Sequence, residues 1–189
     1  MSVMQISLVD RVIPKTKVND VALVVAGAAL TALLAQIQIP MYPVPMTLQT
    51  LAVLLIASAM GPWRALSSMG LYIAMGAAGL PVFAGAKALG QVLPTAGYIV
   101  GFAVAAILVG VMASRGMGKK PLAVALSFIA GSAVIYFFGA GWLVVGMGLS
   151  LQQALLAGVI PFLIGDAAKA AIAASLLPLA WKFGTRENH

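Results

Sequence analysis

The chain has 189 residues, of which 62% are hydrophobic and only 8% are charged, and its formal net charge is +7. A soluble domain carries about a quarter charged residues, so this chain cannot cover its own surface with polar groups, and a bilayer is the solvent that suits it. It has no cysteine, and its single histidine is the last residue, His189, which excludes disulfides and thiolate metal sites and argues against histidine catalysis. We therefore expect a membrane protein with no cofactor and no metal.

Apolar runs of about 20 residues, the length that crosses a bilayer, predict transmembrane helices. Runs of this kind, ended by Pro, Gly or basic residues, predict an all-α integral membrane protein, a six-helix bundle with both termini in the cytoplasm. The predicted spans are 20–39, 47–60, 63–79, 95–113, 121–139 and 160–181, of which the second is short.

The spans form a single predicted transmembrane domain over 19–182. Residues 1–18 predict a cytoplasmic or interfacial segment, and 183–189 a cytoplasmic tail. Segment 80–94 is rich in Gly and Pro, which predicts a loop, either external or folded back into the protein. Segment 141–156 is ambiguous between helix and loop.

The distribution of Lys and Arg sets the orientation, because cytoplasmic loops carry an excess of both. With the N-terminus inside, nine basic residues fall on the cytoplasmic side, only Lys87 falls outside, and Lys169 lies within the last span. The cytoplasmic set is Arg11, Lys15, Lys17, Arg64, Arg115, Lys119, Lys120, Lys182 and Arg186. An odd number of spans would spoil this asymmetry. The excess of basic residues on the cytoplasmic side also accounts for the net charge of +7, so that charge does not indicate binding to nucleic acid.

Asp166 and Lys169 carry the strongest functional signal. They lie three residues apart on one face of the last span, and a charge at the centre of a membrane helix costs about 2.5–3.5 kcal/mol on insertion scales. Both should face the interior, one to two turns below the outer surface, since Pro161 fits the first turn of that helix. Either they pair with each other and hold the bundle, or they bind a solute with donors and acceptors. A proton relay ranks lower, because no other carboxylate lies in a helix interior.

Polar residues also mark the outer start of the second span. Thr47 is explained equally well by helix capping, with the helix beginning at Met46 or Thr47, and by contact with a ligand. Gln49 lies in the first turn beside a proline-stiffened loop, and capping explains it less easily. We therefore include both among the candidate ligand contacts.

Two further segments bring aromatic residues to the same outer end. Phe83 and Gly85 lie in the loop after the third span, and Tyr98 begins the fourth. Phe83 and Tyr98 could stack on a flat ligand, although each alone is more often a core or interfacial residue. With Asp166 they predict an apolar pocket that holds a few polar anchors.

Small residues recur four apart on the first span, as Ala22 and Ala26 and as Ala28 and Ala32. Such spacing lets helix backbones approach closely. One interpretation is packing inside the bundle. The other is a lipid-facing strip that docks a second membrane subunit.

Four motifs in this order resemble the BioY family, the biotin-binding S components of energy-coupling-factor transporters. They are Pro43-Val-Pro-Met-Thr-Leu-Gln-Thr50, Gly79-Leu-Pro-Val-Phe-Ala-Gly85, Pro94-Thr-Ala-Gly-Tyr98 and Pro161-Phe-Leu-Ile-Gly-Asp-Ala-Ala-Lys169. The resemblance covers about residues 21–181. It departs from the family pattern at Leu93-Pro-Thr-Ala-Gly-Tyr98, where the family usually has Gly-Pro-Thr-Gly-Gly-Tyr, and at Ala86, Lys87 and Ala88.

The resemblance implies a six-helix S-component fold with a biotin pocket near the outer face. It implies that Asp166 and Lys169 contact the ureido ring, and that the small-residue pattern of the first helix, from Ala28 to Ala32 or nearby, docks a transmembrane scaffold subunit. That subunit couples to two ATPase subunits in the plasma membrane of a prokaryote. The chain has no P-loop of its own, so it is expected to bind its solute and to leave ATP hydrolysis to those partners.

Three other hypotheses stay open at this stage. The same scaffold could carry another vitamin or a lipoate-like acid. An intramembrane enzyme could use Asp166 and Lys169. A structural or channel-forming protein would bind no solute and would leave the buried pair unexplained.

Overall fold

The computed structural model describes residues 7–91 and 93–183, and these fold into a bundle of α-helices. The helices are α1 Lys17–Ala35, α2 Gln49–Met60, α3 Pro62–Ala77, α4 Ala96–Ser114, α5 Pro121–Val145, α6 Leu151–Gly158 and α7 Phe162–Phe183. Two short antiparallel strands, β1 Gln38–Ile39 and β2 Met46–Thr47, connect α1 to α2. Single 3₁₀ turns cover Val9–Arg11, Leu89–Gln91, Leu93–Thr95 and Met117–Lys119.

Four of these helices, α1, α4, α5 and α7, are long and apolar enough to cross a membrane, and α2 is a shorter apolar helix. Large apolar side chains stay exposed on the outside of the bundle, among them Leu33, Phe137 and Ile164. Contiguous apolar surface of this extent is unfavourable in water and compatible with lipid. The prediction of an all-α protein with apolar spans is confirmed.

Helix α4 lies at the centre of the bundle and packs on α2, α3 and α5. Its buried face carries small residues such as Ala105 and Ala106, which have no exposed surface. Gly110 allows the closest approach, because a Cβ there would lie 2.5 Å from the Cα of Pro62. Pro62 begins α3 directly after Gly61, whose φ of +82° makes the sharp reversal between α2 and α3 possible.

The bundle has two chemically different ends, because its helices alternate in direction. The starts of α1 and α3 and the ends of α2 and α4 meet around a polar groove that contains Asp10, Asp20 and Arg64. We call this the basic end. The starts of α2, α4 and α7 meet at the other end around a cavity that contains Gln49, Tyr98 and Asp166. We call this the pocket end.

An ion-pair network fixes the N-terminal segment at the basic end. Arg64 donates to Oδ1 of Asp10 at 2.7 Å and to Oδ1 of Asp20 at 2.6 Å, and Lys15 lies 3.3 Å from Oδ2 of Asp10. Burial raises the pKa of Asp10, but the hydrogen bonds from Ser7 and Arg64 outweigh that effect and lower it below the usual 3.8. The network joins the Val9–Arg11 turn to α1 and α3.

The first two spans differ from the prediction at the turn between them. Helix α1 ends at Ala35, before the predicted end at 39, because Gln38 and Ile39 pair with Thr47 and Met46 in the β1–β2 ladder. Helix α2 therefore begins only at Gln49, and the prediction that Met46 or Thr47 starts it is wrong. The ladder replaces the last turn of one helix and the first turn of the next.

The ambiguous segment 141–156 divides between two helices. Helix α5 runs to Val145, beyond the predicted end at 139. Ser150 and Gln153 then form a capping box that starts the eight-residue α6, about 12 Å long at 1.5 Å per residue. Helix α7 begins at Phe162, so Pro161 directly precedes the helix and does not lie in its first turn.

The described part of the predicted loop, residues 80–91, folds back onto the bundle. Val82 and Phe83 are buried, and the backbone of Phe83 pairs with that of Lys87. The side chain of Gln36 donates to the carbonyls of Val82 and Phe83 at 3.3 and 3.2 Å and accepts from the N–H of Ala86 at 2.9 Å. This loop therefore forms part of the pocket end.

Predictions for the termini are only partly covered by the structure. Residues 1–6 and 184–189, which include Arg186 and His189, lie outside the described residues. Within the described part, α1 begins at Lys17 with Thr16 as its cap, so the predicted terminal segment 1–18 overlaps the first helical residues.

Candidate functional site

A cavity occupies the pocket end, between the starts of α2, α4 and α7 and the folded-back loop. Its volume is about 40 Å³, well below the roughly 300–1,000 Å³ of known ligand pockets. The walls are therefore drawn closely together, and a bound solute would require them to move apart. The lining residues are Val44, Pro45, Thr47, Gln49, Thr50, Phe83, Ala84, Thr95, Tyr98, Ile99, Phe102, Ile135, Tyr136, Phe162, Asp166 and Lys169.

Lys169 donates three hydrogen bonds inside the protein. Its Nζ lies 2.7 Å from Oδ1 of Asp166, 2.8 Å from the main-chain oxygen of Thr47 and 2.8 Å from Oγ1 of Thr50. An ammonium has three N–H donors, so all of them have partners. Lys169 thus joins the first turns of α7 to the β2–α2 junction.

Asp166 accepts hydrogen bonds from three side chains. Lys169 and, at 3.3 Å, Thr50 donate to Oδ1, and the phenol of Tyr136 donates to Oδ2 at 2.6 Å. The side chains of Asp166 and Lys169 are only 9% and 8% exposed. A carboxylate offers about four acceptor positions, so Oδ2 retains the capacity for one further N–H or O–H donor from the cavity.

The structure therefore joins two interpretations that the sequence left as alternatives. Asp166 and Lys169 do pair with each other, and both also line the cavity. Moving an ion from water into a protein interior costs on the order of several kcal/mol of solvation free energy. The attraction between the two charges offsets part of this cost. The pair joins α7 to the start of α2 and also lies in the wall of the cavity.

Gln49 begins α2 and is buried. Its Nε2 donates to the hydroxyl of Tyr72 at 2.6 Å, and that hydroxyl donates to the main-chain oxygen of Val82 at 3.3 Å. The second N–H of the amide and its Oε1 have no partner among the described residues. Gln49 is therefore positioned by the bundle and can still bond to a solute.

Thr47 contributes mainly through its main chain. Its carbonyl oxygen accepts from Lys169, and its hydroxyl accepts from the N–H of Gln49 at 3.2 Å. The hydroxyl thus satisfies one N–H at the start of α2, as capping predicts, although Leu48 occupies the cap position itself.

The two predicted aromatic residues both line the cavity. Phe83 packs edge-on against Tyr72 with ring centroids 5.1 Å apart, and Tyr98 donates to the carbonyl of Gly158 at 2.7 Å. Two glycines make room for them, since a Cβ at Gly76 would overlap the ring of Phe83 and one at Gly139 would overlap the ring of Tyr98. Their positions are therefore fixed by close packing.

Gly85 does not line the cavity. It has a φ of +74° in the turn between Phe83 and Lys87, and the nearest side chain to it is that of Gln38. Its role in the structure is to allow the tight turn that returns Phe83 to the bundle.

Several lining residues were not predicted from the sequence. Thr50 and Tyr136 complete the hydrogen bonds of Asp166, and Phe162 packs between Tyr98 and Tyr136 with centroid distances of 6.4 and 6.5 Å. Tyr136 lies within an apolar run, and a single sequence does not show which group its phenol contacts.

A second, apolar cavity of about 420 Å³ lies between α5 and α7. It shares Tyr136 and Asp166 with the first, so their hydrogen bond forms the wall between the two spaces. Small residues such as Ala133, Ala167 and Ala170 line it.

The predicted docking residues fall on different faces of α1. Ala22 and Ala26 are exposed, Ala32 is partly buried, and Ala28 has no exposed surface. Ala28 packs inside the bundle, so its assignment to an outer strip is corrected. The exposed small residues lie nearer the start of the helix.

Comparison with known proteins identifies the family. The model of the BioY family matches residues 6–186. The chain belongs to the BioY family. A relative from Pyrococcus horikoshii named "Probable biotin transporter BioY" is 38% identical over 83% of this chain and 93% of its own. One from Thermotoga maritima named "Biotin transporter BioY" is 38% identical over 81% of this chain and 86% of its own.

The fold is also found in a solved structure. The crystal structure of an S-component for biotin from an ECF-type ABC transporter superposes with a TM-score of 0.75, covering 90% of this chain and 93% of that one at 22% identity. The S-component-like fold is thereby confirmed. With its transporter relatives and its apolar helices, the chain is a multi-pass protein of a prokaryotic plasma membrane.

Proposed function

We propose that this chain is the substrate-capture subunit of a biotin uptake transporter and that biotin binds in the pocket-end cavity. The observation that carries the proposal is the buried Asp166–Lys169 pair in the wall of a mostly apolar cavity. The family and its biotin-transporter relatives favour the same ligand. The family consists of transporter components, so the hypothesis of an intramembrane enzyme is set aside.

The remaining hydrogen-bonding capacity of the site fits a ureido ring. One ring N–H would donate to Oδ2 of Asp166, and the ring carbonyl would accept from the second N–H of Gln49. Lys169 has no free donor, so it acts by fixing Asp166, Thr47 and Thr50 in place. Phe83 and Tyr98 would cover the apolar atoms of the bicyclic ring.

Binding of biotin to purified variants tests this assignment. Asp166→Asn and Lys169→Ala should each weaken binding about tenfold or more, about 1.4 kcal/mol. Matched controls are Asp20→Asn and Lys17→Ala at the basic end, which should bind as the parent does. Unchanged affinity in both site variants would contradict the assignment.

A different solute on the same scaffold is the second candidate. A cavity lined by Phe83, Tyr98 and Phe162 favours a flat or cyclic apolar body without specifying it uniquely. Competition between biotin and lipoate separates the two, since biotin should displace a bound fluorescent biotin analogue at far lower concentration.

We propose further that α1, α2, α3, α4, α5 and α7 are six spans, with both termini in the cytoplasm. Their alternating direction supports the count, which includes the short α2 of 12 residues. The eight-residue α6, about 12 Å long, covers less than half of a hydrocarbon core of about 30 Å. The position of Lys87 at the pocket end, with Arg64, Lys119 and Lys182 at the other, supports the orientation. The chain has no cysteine, so single-cysteine labelling is clean: an impermeant maleimide on intact cells should modify Lys87→Cys and not Lys120→Cys.

We also propose that a scaffold subunit, coupled to ATPase subunits, docks on the exposed small residues of α1. Ala22 and Ala26 are the candidates, because a helix approaches closely where side chains are small. Ala22→Trp or Ala26→Trp should abolish biotin uptake by cells that express the complete transporter, while the isolated protein still binds biotin. Val104→Trp on the exposed face of α4 is the control, and equal loss of uptake there would argue against this surface.

A further inference from the structure

The second cavity, between α5 and α7, opens to the side of the bundle. Its volume of about 420 Å³ is about ten times that of the pocket-end cavity, about 40 Å³. Its lining side chains are mostly small or apolar, and two of them, Ile129 and Leu163, are 60% and 50% exposed. Because α5 and α7 are long apolar helices of a membrane protein, this opening faces the hydrocarbon chains of the bilayer.

A single side-chain contact separates the two cavities. Tyr136 and Asp166 line both of them, and the phenol of Tyr136 donates to Oδ2 of Asp166 at 2.6 Å. The ring of Tyr136 therefore has the pocket-end cavity on one side and the second cavity on the other. A wall made of a side chain moves far more readily than a wall made of main chain, which requires the shift of a whole helix.

The other aromatic walls of the pocket-end cavity have no such space behind them. Phe83 lies against Gly76 and Tyr98 lies against Gly139, at positions where even a methyl group would overlap the ring. In a closely packed interior, moving such a ring outward requires its neighbours to move as well. The pocket-end cavity must widen to hold a solute, and Tyr136 is the part of its aromatic wall that has room to move.

We propose that the second cavity receives the ring of Tyr136 when biotin enters the pocket-end cavity, so that the alanines lining the second cavity determine how large a solute the protein accepts. The proposal rests on the proposed function, since it takes biotin as the solute. The directions from which a carboxylate oxygen accepts a hydrogen bond are broadly distributed, so the ring can tilt while its hydroxyl stays bonded to Asp166. Ala133, Ala167 and Ala170 then determine specificity without contacting biotin, because a larger side chain would occupy the space that the ring needs.

Leucine substitutions that fill the second cavity test the proposal. Ala133 on α5 and Ala167 on α7 line the second cavity and not the pocket-end cavity. Calorimetric titration of purified Ala133→Leu and Ala167→Leu should show at least tenfold weaker binding of biotin. Ala168→Leu is the matched control, because Ala168 is the next residue of α7, is likewise exposed and lines neither cavity. Its affinity should stay within twofold of that of the parent.

The stability of the same variants distinguishes loss of space from damage to the fold. Filling a cavity adds apolar contacts, so the unfolding midpoint in detergent without biotin should be unchanged or higher in Ala133→Leu and Ala167→Leu. A structural defect would instead lower the midpoint together with the affinity for biotin.

Three outcomes would overturn the proposal. They are parental affinity in both cavity variants, an equal loss of affinity in Ala168→Leu, and a loss of affinity that comes with a lower unfolding midpoint in both cavity variants. In each of these the parent still binds biotin, so the proposed function stands. A parent that does not bind biotin would contradict the proposed function and, with it, the role assigned to the second cavity.

Discussion

The phenol of Tyr136 donates a 2.6 Å hydrogen bond to Oδ2 of Asp166 and thereby joins α5 to α7 at the wall of the cavity. Hydrogen bonds to charged groups contribute about 1.5–3 kcal/mol, so this bond limits the positions that the carboxylate can take. The geometry of the site thus depends on a residue of a helix that carries neither member of the ion pair.

Removing that phenol should weaken ligand binding without removing a charge. Tyr136→Phe is expected to lower the affinity for biotin about tenfold, about 1.4 kcal/mol, because Asp166 loses its fixed orientation. Calorimetric titration of the purified protein measures it. Tyr42→Phe, at a residue that is 92% exposed, is the control, and an equal effect there would show that the loss is unspecific.

Close packing around Tyr98 leads to a second prediction. Gly139→Ala should destabilise the protein by about 1–3 kcal/mol, because the added methyl group overlaps the ring of Tyr98. Gly141→Ala on the same helix is the matched control, since nothing lies within 4 Å of a Cβ there. Thermal unfolding in detergent should show a lower midpoint for the first variant only, and equal midpoints would contradict the packing described.

The hydrogen bonds of Gln36 predict the behaviour of the folded-back loop. Gln36→Ala removes the contacts to Val82, Phe83 and Ala86, so the loop should leave the cavity more often. We expect the dissociation rate of biotin to rise severalfold, as measured by displacement of a fluorescent analogue. Gln152→Ala on the exposed face of α6 should leave that rate unchanged; a parental rate in Gln36→Ala would show that the loop is held by other contacts.

The ion pairs of Asp10 predict a pH dependence at the basic end. Because Arg64 and Ser7 hold the pKa of Asp10 below 3.8, its contribution to stability is fully present above pH 3.8 and is lost as the pH falls through the lowered folded-state value. The difference in unfolding midpoint between the parent and Asp10→Asn should therefore be constant near neutral pH and shrink in acid. A difference that keeps its neutral-pH size throughout the acid range in which the parent is folded would show that the charge of Asp10 does not contribute.

The sequence was most informative where burial is costly. A carboxylate and an ammonium within an apolar run must face the interior, so Asp166 and Lys169 could be assigned to a site without coordinates. Thr50 and Tyr136 could not be assigned to the site in this way. A hydroxyl group adds little to the free energy of placing a helix in the membrane, and the partner of Tyr136 depends on how α5 and α7 are rotated against each other. Helix rotation is set by packing, which a single sequence does not show.

The boundaries of the helices show the same limit. The apolar run to residue 39 favoured a longer α1, but pairing of Gln38 with Thr47 ends the helix at Ala35. The separate α6 begins at the capping box of Ser150 and Gln153, which lies within a run too short to indicate a helix by periodicity. Local hydrogen bonds thus determined what hydrophobicity left ambiguous.

The complete pairing of Lys169 has a consequence for the protein between two cycles of transport. The ammonium of Lys169 already donates to Asp166, Thr47 and Thr50. It can therefore stay buried within the membrane without a bound chloride or water. The polar wall of the cavity therefore needs no solute to satisfy its ammonium group. Selection between solutes then depends on the shape of the solute and on where its hydrogen-bond donors lie. A negative charge on the solute would gain no hydrogen bond from Lys169.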